Sequence, residues 1–438
     1  MIDSNLLADI YNNHGVARAR LGQRRDALND FNEAIRIKPD FAEAYDNRGS
    51  VRVALGLTKE AIADYDEAIR IKPDFAEAYN NRGTAKTELG RYANAIADCD
   101  AAIRIDPALA EAYNNRANAK AGLEQYQDAL ADYDKAIKLN PKRAEVYYNR
   151  ANAKAGLEQY QDALADYDKA IKLNPKRAEV YYNRANAKAG LEQYQDALAD
   201  YDKTIELNPE RADFYYNRGV ARAGLARFAE AIADYGEAIH IKPEYAKAYI
   251  NRGVAKAALG QHEEAIADFD AAIRINPEFA EAYVNRGLAE AVLDRRKDAI
   301  ADFDAAIRIN QSYAEAYNNR GNAKAGFERY QDALADYDKA IELSPVRADF
   351  YYNRANAKAE LERYQDALAD YDKAIELSPE DFAYFFSRGE AKKMLRRHTA
   401  ASEDFKRALT LAQEQRLTER LQRISREPDD LRVADAIP

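Results

Sequence analysis

Apolar residues fall at helical spacing in short stripes, and the stripes come in pairs. In residues 110–143, Ala110, Tyr113, Ala117 and Ala121 form one narrow stripe. Gly122 and the Glu124–Gln125 pair interrupt it. A second stripe runs through Tyr126, Ala129, Leu130, Tyr133, Ala136, Ile137 and Leu139. Asn140–Pro141 closes it, because the residue before proline is driven out of the α region. The pattern predicts two helices of about 13 residues, each near 20 Å long at about 1.5 Å per residue.

The same pattern returns every 34 residues, twelve times, without insertion or deletion. Tyrosine marks one beat from Tyr11 and Tyr45 through to Tyr351, with Phe385 in the last repeat; proline marks another from Pro39 to Pro379, skipping Gln311. A fixed period of this size predicts an all-α solenoid, in which each repeat buries its apolar face against its neighbours. Small residues (Ala117, Ala129, Ala136) opposite large ones (Tyr113, Tyr133) suit closely approaching helix axes. Residues 116–149 and 150–183 are identical, which suits a ruler or scaffold and is hard to reconcile with a single catalytic centre.

Tyr113, Ala117, Ala129, Tyr133, Ala136 and Pro141 form an aromatic–small–small–aromatic–small–proline signature that resembles the tetratricopeptide repeat (TPR) family. The resemblance spans residues 8–415. It implies a right-handed superhelix of antiparallel helix pairs, whose first helices line a concave groove that binds peptides or proteins. Arg116 and Lys120, with their equivalents, depart from the family by replacing apolar residues. The predicted organisation is an N-terminal segment (1–7), twelve repeats (8–415), a capping continuation of the last helix (416–426, with Leu417, Leu421 and Ile424) and an acidic tail (427–438).

Composition narrows the function. With 75 acidic against 65 basic residues the net charge is −10, and nucleic acid is not the expected ligand. No apolar run approaches the roughly 20 residues of a membrane helix, and the start lacks a secretory signal. A single cysteine, Cys99, excludes a disulfide framework, and a cytoplasmic location is expected. The 31 tyrosines without a tryptophan point to one aromatic slot copied many times.

Two constellations recur with the repeat. The first places an arginine 16 residues before an aspartate, as in Arg48–Asp64, Arg116–Asp132 and Arg184–Asp200; His14–Asp30 stands in the first repeat. Sixteen residues lead from one helix to a neighbouring point on the returning one, so a partly buried internal ion pair is expected rather than an anion grip. The second is asparagine, at Asn13, Asn47, Asn81, Asn115, Asn149, Asn183, Asn217, Asn251, Asn285, Asn319 and Asn353. Asparagine is a mediocre helix former, so its recurrence in mid-helix needs a reason. One reason is a hydrogen bond between adjacent repeats. The other, favoured here, is a ladder of amides along the groove that offers donors and acceptors to an extended peptide main chain. This resembles the asparagine ladder in the repeat region of protein O-GlcNAc transferases, from which only binding is carried over.

Beside the ladder a variable position holds Tyr148, Tyr182, Tyr216 and Tyr352 among Asp46, Asn80, Asn114, Ile250, Val284, Asn318 and Phe386. The tyrosines suit selection of apolar ligand side chains, or else packing between repeats. Asn118, Asn152, Asn186, Asn322 and Asn356 add polar groups one turn along. No carboxylate clamp is expected, since its lysine positions hold Asn114, Tyr148, Glu111 and Glu145. No nucleophile, phosphate-loop or zinc-binding motif is present, and His14, His240, His262 and His398 lie at unrelated phases. Cys99 reads as a small buried hydrophobe. The sequence therefore predicts a non-enzymatic scaffold, without metal or cofactor, that binds proteins or peptides. The alternative is a structural protein that self-associates through its terminal repeats or groove.

Overall fold

The computed structural model describes the backbone of residues 4–426 and the side chains of residues 4–416. The predicted acidic tail, 427–438, lies outside the described residues. Those described form 24 α-helices and no strand. Two compact halves divide the chain after Leu225. The first contains α1 (Ser4–Arg20), α2 (Arg24–Ile37), α3 (Ala42–Ala54), α4 (Thr58–Ile71), α5 (Ala76–Glu88), α6 (Tyr92–Ile105), α7 (Ala110–Gly122), α8 (Tyr126–Leu139), α9 (Ala144–Gly156), α10 (Tyr160–Leu173), α11 (Ala178–Gly190), α12 (Tyr194–Leu207) and α13 (Ala212–Gly224). The second contains α14 (Phe228–Ile241), α15 (Ala246–Ala258), α16 (His262–Ile275), α17 (Ala280–Val292), α18 (Arg296–Ile309), α19 (Ala314–Ala325), α20 (Tyr330–Leu343), α21 (Ala348–Glu360), α22 (Tyr364–Leu377), α23 (Phe382–Met394) and α24 (His398–Arg426). Helix α1 begins at Ser4, so residues 4–7 join the first helix, and α24 runs unbroken through the segment read as a cap.

Within each half the pairing is sequential. Helix α7 packs on α8, α8 on α9, and α7 also touches α9, so each first helix is covered by its own partner and by the next repeat. The core follows this geometry. Tyr133 is buried among Ala117, Ala129 and Ala136 of its own repeat and Val146 and Ala153 of the next. No core belongs to one repeat alone, which makes the halves α-solenoids.

The turns differ from the sequence reading. Gly122 does not break its helix; it is the last residue of α7. A Cβ there would lie 2.4 Å from Cε1 of Tyr92, so the glycine makes room for a tyrosine of the preceding repeat. The reversal is made two residues later by a left-handed residue, Glu124 at φ 60°. Its N–H donates to the Ala121 carbonyl and that of Gln125 to the Lys120 carbonyl, which satisfies the exposed helix end. Glycine fills this position at Gly22, Gly56, Gly90 and Gly260, whereas most repeats place a side chain there.

Candidate functional site

The first helix of each repeat carries an ion-pair lattice on one flank and amides on the other. Arg82 binds Asp98 at 2.6 Å and, one repeat back, Asp66 at 2.7 Å. Arg354 likewise joins Asp370 at 2.6 Å to Asp338 at 2.7 Å, and Arg116 and Arg184 repeat the arrangement. Each inner aspartate is buried, and all but Asp302 have a second cationic residue one turn along the first helix, as Asp132 takes Lys120 at 2.7 Å. In the first repeat His14 and Arg18 share Asp30 at 3.2 and 3.0 Å. The guanidinium of Arg116 is held above its ordinary pKa, chiefly by its hydrogen bond to Asp132. Burial pushes the Asp404 carboxyl up, but hydrogen bonds from Arg388 and Lys392 outweigh it and leave the pKa lowered. These arginines already bind carboxylates, as the 16-residue spacing predicts. The link back to the preceding repeat and the sharing with Lys120 are additions that the sequence reading did not contain.

From Asn47 to Asn353 the ladder asparagines are half-buried, and seven of them donate an amide N–H to the preceding repeat. Asn47 Nδ2 donates to Asn12 Oδ1 at 3.0 Å, Asn81 to Asp46 Oδ1 at 3.0 Å and Asn115 to Asn80 Oδ1 at 2.9 Å. Asn149 donates to Asn114 Oδ1 at 3.3 Å, and Asn353 to Asn318 Oδ1 at 3.0 Å. Where the variable position is tyrosine, its hydroxyl accepts instead: Asn183 donates to Tyr148 at 3.0 Å and Asn217 to Tyr182 at 2.5 Å. The variable position is thus the acceptor for an amide 35 residues later. Asp46 in that role is buried, and burial pushes its carboxyl up to about 6.

The tyrosines at this position are half-buried and also pack between helices. The Tyr148 ring lies 6.4 Å from that of Tyr167, under the Arg177 guanidinium at 4.3 Å. Tyr182 lies 4.8 Å from Phe214, and Tyr352 lies 4.8 Å from Tyr384 with its hydroxyl 3.2 Å from Ser387 Oγ. Tyr216 is half-buried at the matching place on α13.

One turn along, a second amide row serves the core. The buried Tyr133, Tyr167, Tyr201, Tyr337 and Tyr371 donate their hydroxyls to Oδ1 of Asn118, Asn152, Asn186, Asn322 and Asn356 at 2.7–2.8 Å. Asn183 Nδ2 also reaches Asn152 Oδ1 at 2.9 Å. Asn152, Asn183 and Asn186 line a surface depression between α9 and α11, floored by Tyr167. Among the described residues, Asn183 Oδ1 and Asn152 Nδ2 have no protein partner there.

The repeats are not uniform. Ile250 and Val284 cannot accept from the following asparagine, so Asn285 makes no side-chain hydrogen bond among the described residues. Glu290 stands where other repeats put the second cation; burial and then the charge of Asp302 push its carboxyl up to about 7. Cys99 is fully buried in the place of the core tyrosine, and burial pushes its thiol up to about 12. No group of metal-ligating side chains assembles among the described residues, and no described helix is long and apolar enough to cross a membrane.

Stacked helix pairs that share their cores through small–large packing define the chain as an α-solenoid of 34-residue helical hairpins. The tetratricopeptide repeat model matches residues 76–109, 110–143, 144–177, 178–211, 246–279, 314–345 and 348–381. Related repeat models match 8–41, 49–86 and 227–260. The chain belongs to the tetratricopeptide repeat family, and no catalytic family is indicated. None of the curated proteins is similar enough in sequence to count as a relative. Among solved structures the chain is similar to YrrB, described as a TPR protein with an unusual peptide-binding site (29% identity, 42% of this chain and 95% of that one, TM-score 0.38). It is also similar to yeast Tom70 (17% identity, 96% and 100%, TM-score 0.43) and to MamA from Desulfovibrio magneticus RS-1 (24% identity, 39% and 96%, TM-score 0.36).

Proposed function

We propose that the chain is a non-enzymatic protein-interaction scaffold whose odd-numbered helices bind an extended polypeptide through its main chain. The observation that carries this reading is the division of labour within the amides. Asn183 uses its N–H groups on the preceding repeat and keeps Oδ1 free; Asn152 uses Oδ1 on Asn183 and Tyr167 and keeps Nδ2 free. Acceptors and donors then lie side by side, which suits peptide N–H and C=O groups and is indifferent to sequence. Repetition along the helices lets weak contacts add. Asn47, Asn149, Asn183, Asn217 and Asn353 supply the acceptor row; Asn81, Asn115 and Asn319 share their Oδ1 with Nδ2 of Asn80, Asn114 and Asn318, and Asn251 and Asn285 stand at the same beat. The tyrosines at 148, 182, 216 and 352 are assigned to packing and to holding the ladder, with their exposed edges left for ligand side chains.

The test is panning of a random nonapeptide library on the full chain, followed by N-methylation of the enriched peptides one residue at a time. Each N-methyl group removes one main-chain donor. Loss of roughly tenfold in affinity at several positions, the scale of about 1.4 kcal/mol, supports the reading. Peptides that bind equally well when methylated, or a library that enriches nothing, would overturn it.

A further inference from the structure

The amide-bearing face changes character in the eighth and ninth repeats. Where five repeats place asparagine, as at Asn118, Asn152 and Asn186, Val254 and Leu288 stand, 43% and 41% exposed, and Val292 one turn further is 65% exposed. Beneath them Phe269 and Phe303 replace tyrosines, so no buried hydroxyl there requires an amide acceptor. In these two repeats both partners of the hydroxyl–amide pair are exchanged together, whereas the seventh repeat combines Val220 with Tyr235. Exposed aliphatic residues in a run mark contact surface more often than chance decoration.

Val254, His262, Phe269, Leu288 and Val292 enclose a cavity of about 210 Å³ between α15 and α17, with Asn285 at its edge. This is smaller than the roughly 300–1,000 Å³ of sites for drug-sized ligands and suits a single side chain. No acid, lysine or arginine lines it. Asn285 brings both an amide donor and an acceptor to the edge, free because Ile250 offers no partner. An aliphatic wall beside an unengaged amide matches one residue of a polypeptide, with its side chain apolar and its main chain polar. The amide row resumes at Asn322 and Asn356 on α19 and α21 in the same half.

We infer that this cavity is an anchor subsite that takes one aliphatic side chain of the bound polypeptide, while Asn285 bonds the main chain beside it. The inference rests on the main-chain reading above and adds a sequence preference to it. The occupant is an uncharged, extended segment with a Leu-, Ile- or Val-type residue in register with the eighth and ninth repeats. Ligands lacking that residue bind the same face without the anchor.

The same library panned on the full chain supplies the test. The control variant carries Val254→Asn, Phe269→Tyr, Leu288→Asn and Phe303→Tyr, which gives these repeats the amide–hydroxyl pairs found at Asn152 and Tyr167. Wild-type protein is expected to enrich peptides that share one aliphatic position. The variant should bind them at least about tenfold more weakly, the scale of burying one such side chain. Changing that peptide residue to serine should weaken binding to wild type and leave binding to the variant unaltered. Val292→Ser, at an exposed position, should act in the same direction by a smaller factor and guards against misfolding of the fourfold variant. Enriched peptides without a common apolar position, or equal binding to wild type and both variants, would overturn the anchor alone. A library that enriches nothing, or peptides insensitive to N-methylation, would remove the main-chain reading and the anchor with it.

Discussion

Arg184 Nε donates to Asp200 Oδ2 at 2.8 Å, and the aspartate it reaches is buried while the arginine keeps a solvated edge. Lys188 reaches the same carboxylate at 2.8 Å, and the other arm of Arg184 binds Asp168 in the preceding repeat. The aspartate is therefore the shared node. Removing one half of a buried pair costs about 3–5 kcal/mol. Asp200→Ala, which strands Lys188 and leaves Arg184 only Asp168, should fall in that range. Arg184→Ala should cost less, because Lys188 still neutralises Asp200. Native-state hydrogen exchange in the fifth to seventh repeats reads both locally, which matters because a long repeat array need not unfold in two states. Equal effects of the two substitutions would refute the shared node.

Glu290 inverts this arrangement. Eleven repeats place lysine or arginine at its position, and here a carboxyl faces Asp302, with Asp298 nearby and Arg286 as the only cation of the group. Burial, then the charge of Asp302, raise its pKa from 4.5 to about 7. A carboxyl raised on folding is favoured in its neutral form. It carries no penalty below pH 4.5, a growing one up to about pH 7, and a constant one above. Local opening of the ninth repeat should therefore increase between pH 5 and 7.5. Glu290→Gln and Glu290→Lys should both flatten that dependence, and Glu290→Lys should also slow exchange at pH 7.5. A slope unchanged in both variants would place its origin elsewhere.

The helix pairs, their length and the 16-residue ion pair were legible because each rests on a periodic residue whose physical demand is local. Three features were less legible. Arg116 has an aspartate 16 residues away in both directions, Asp132 and Asp100, and the forward spacing alone describes one of its two bonds. Gly122 reads as a breaker, but its purpose depends on Tyr92, thirty residues earlier, whose ring needs the space. The ladder asparagines satisfied both sequence readings at the level of residue type. Their donors go to the residue 35 positions earlier, a pairing visible in the sequence only by comparing repeats such as Tyr148–Asn183 with Ile250–Asn285.

The left-handed turn residue gives a third prediction. Glu158 sits at φ 58°, a conformation that costs an L-residue about 1–2 kcal/mol and glycine little. Glycine pays some of this back in the unfolded chain, by about 0.5–1 kcal/mol. Glu158→Gly should therefore stabilise the fifth repeat by about 0.5–1 kcal/mol, with Glu192→Gly giving the same increment in the sixth. Combined, they should add, since the turns share no contact partner. Urea unfolding of the two single variants and the double variant checks the sign and the additivity.

The amides can be separated into structural and ligand-facing atoms by where the hydroxyls go. Tyr148→Phe removes one of the two acceptors of Asn183 Nδ2, and Asn152 Oδ1 at 2.9 Å remains. That change should cost no more than about 1 kcal/mol. Asn152→Ala removes the acceptor of both Asn183 and Tyr167, whose hydroxyl is 2.8 Å away and whose ring is fully buried. An unsatisfied buried hydroxyl costs about 1–3 kcal/mol. Adding Tyr167→Phe to Asn152→Ala should recover most of that loss, because the stranded hydroxyl is gone. Peptide binding should not recover with it, because the free Nδ2 of Asn152 is still missing. Recovery of stability and binding together would assign this amide to packing alone.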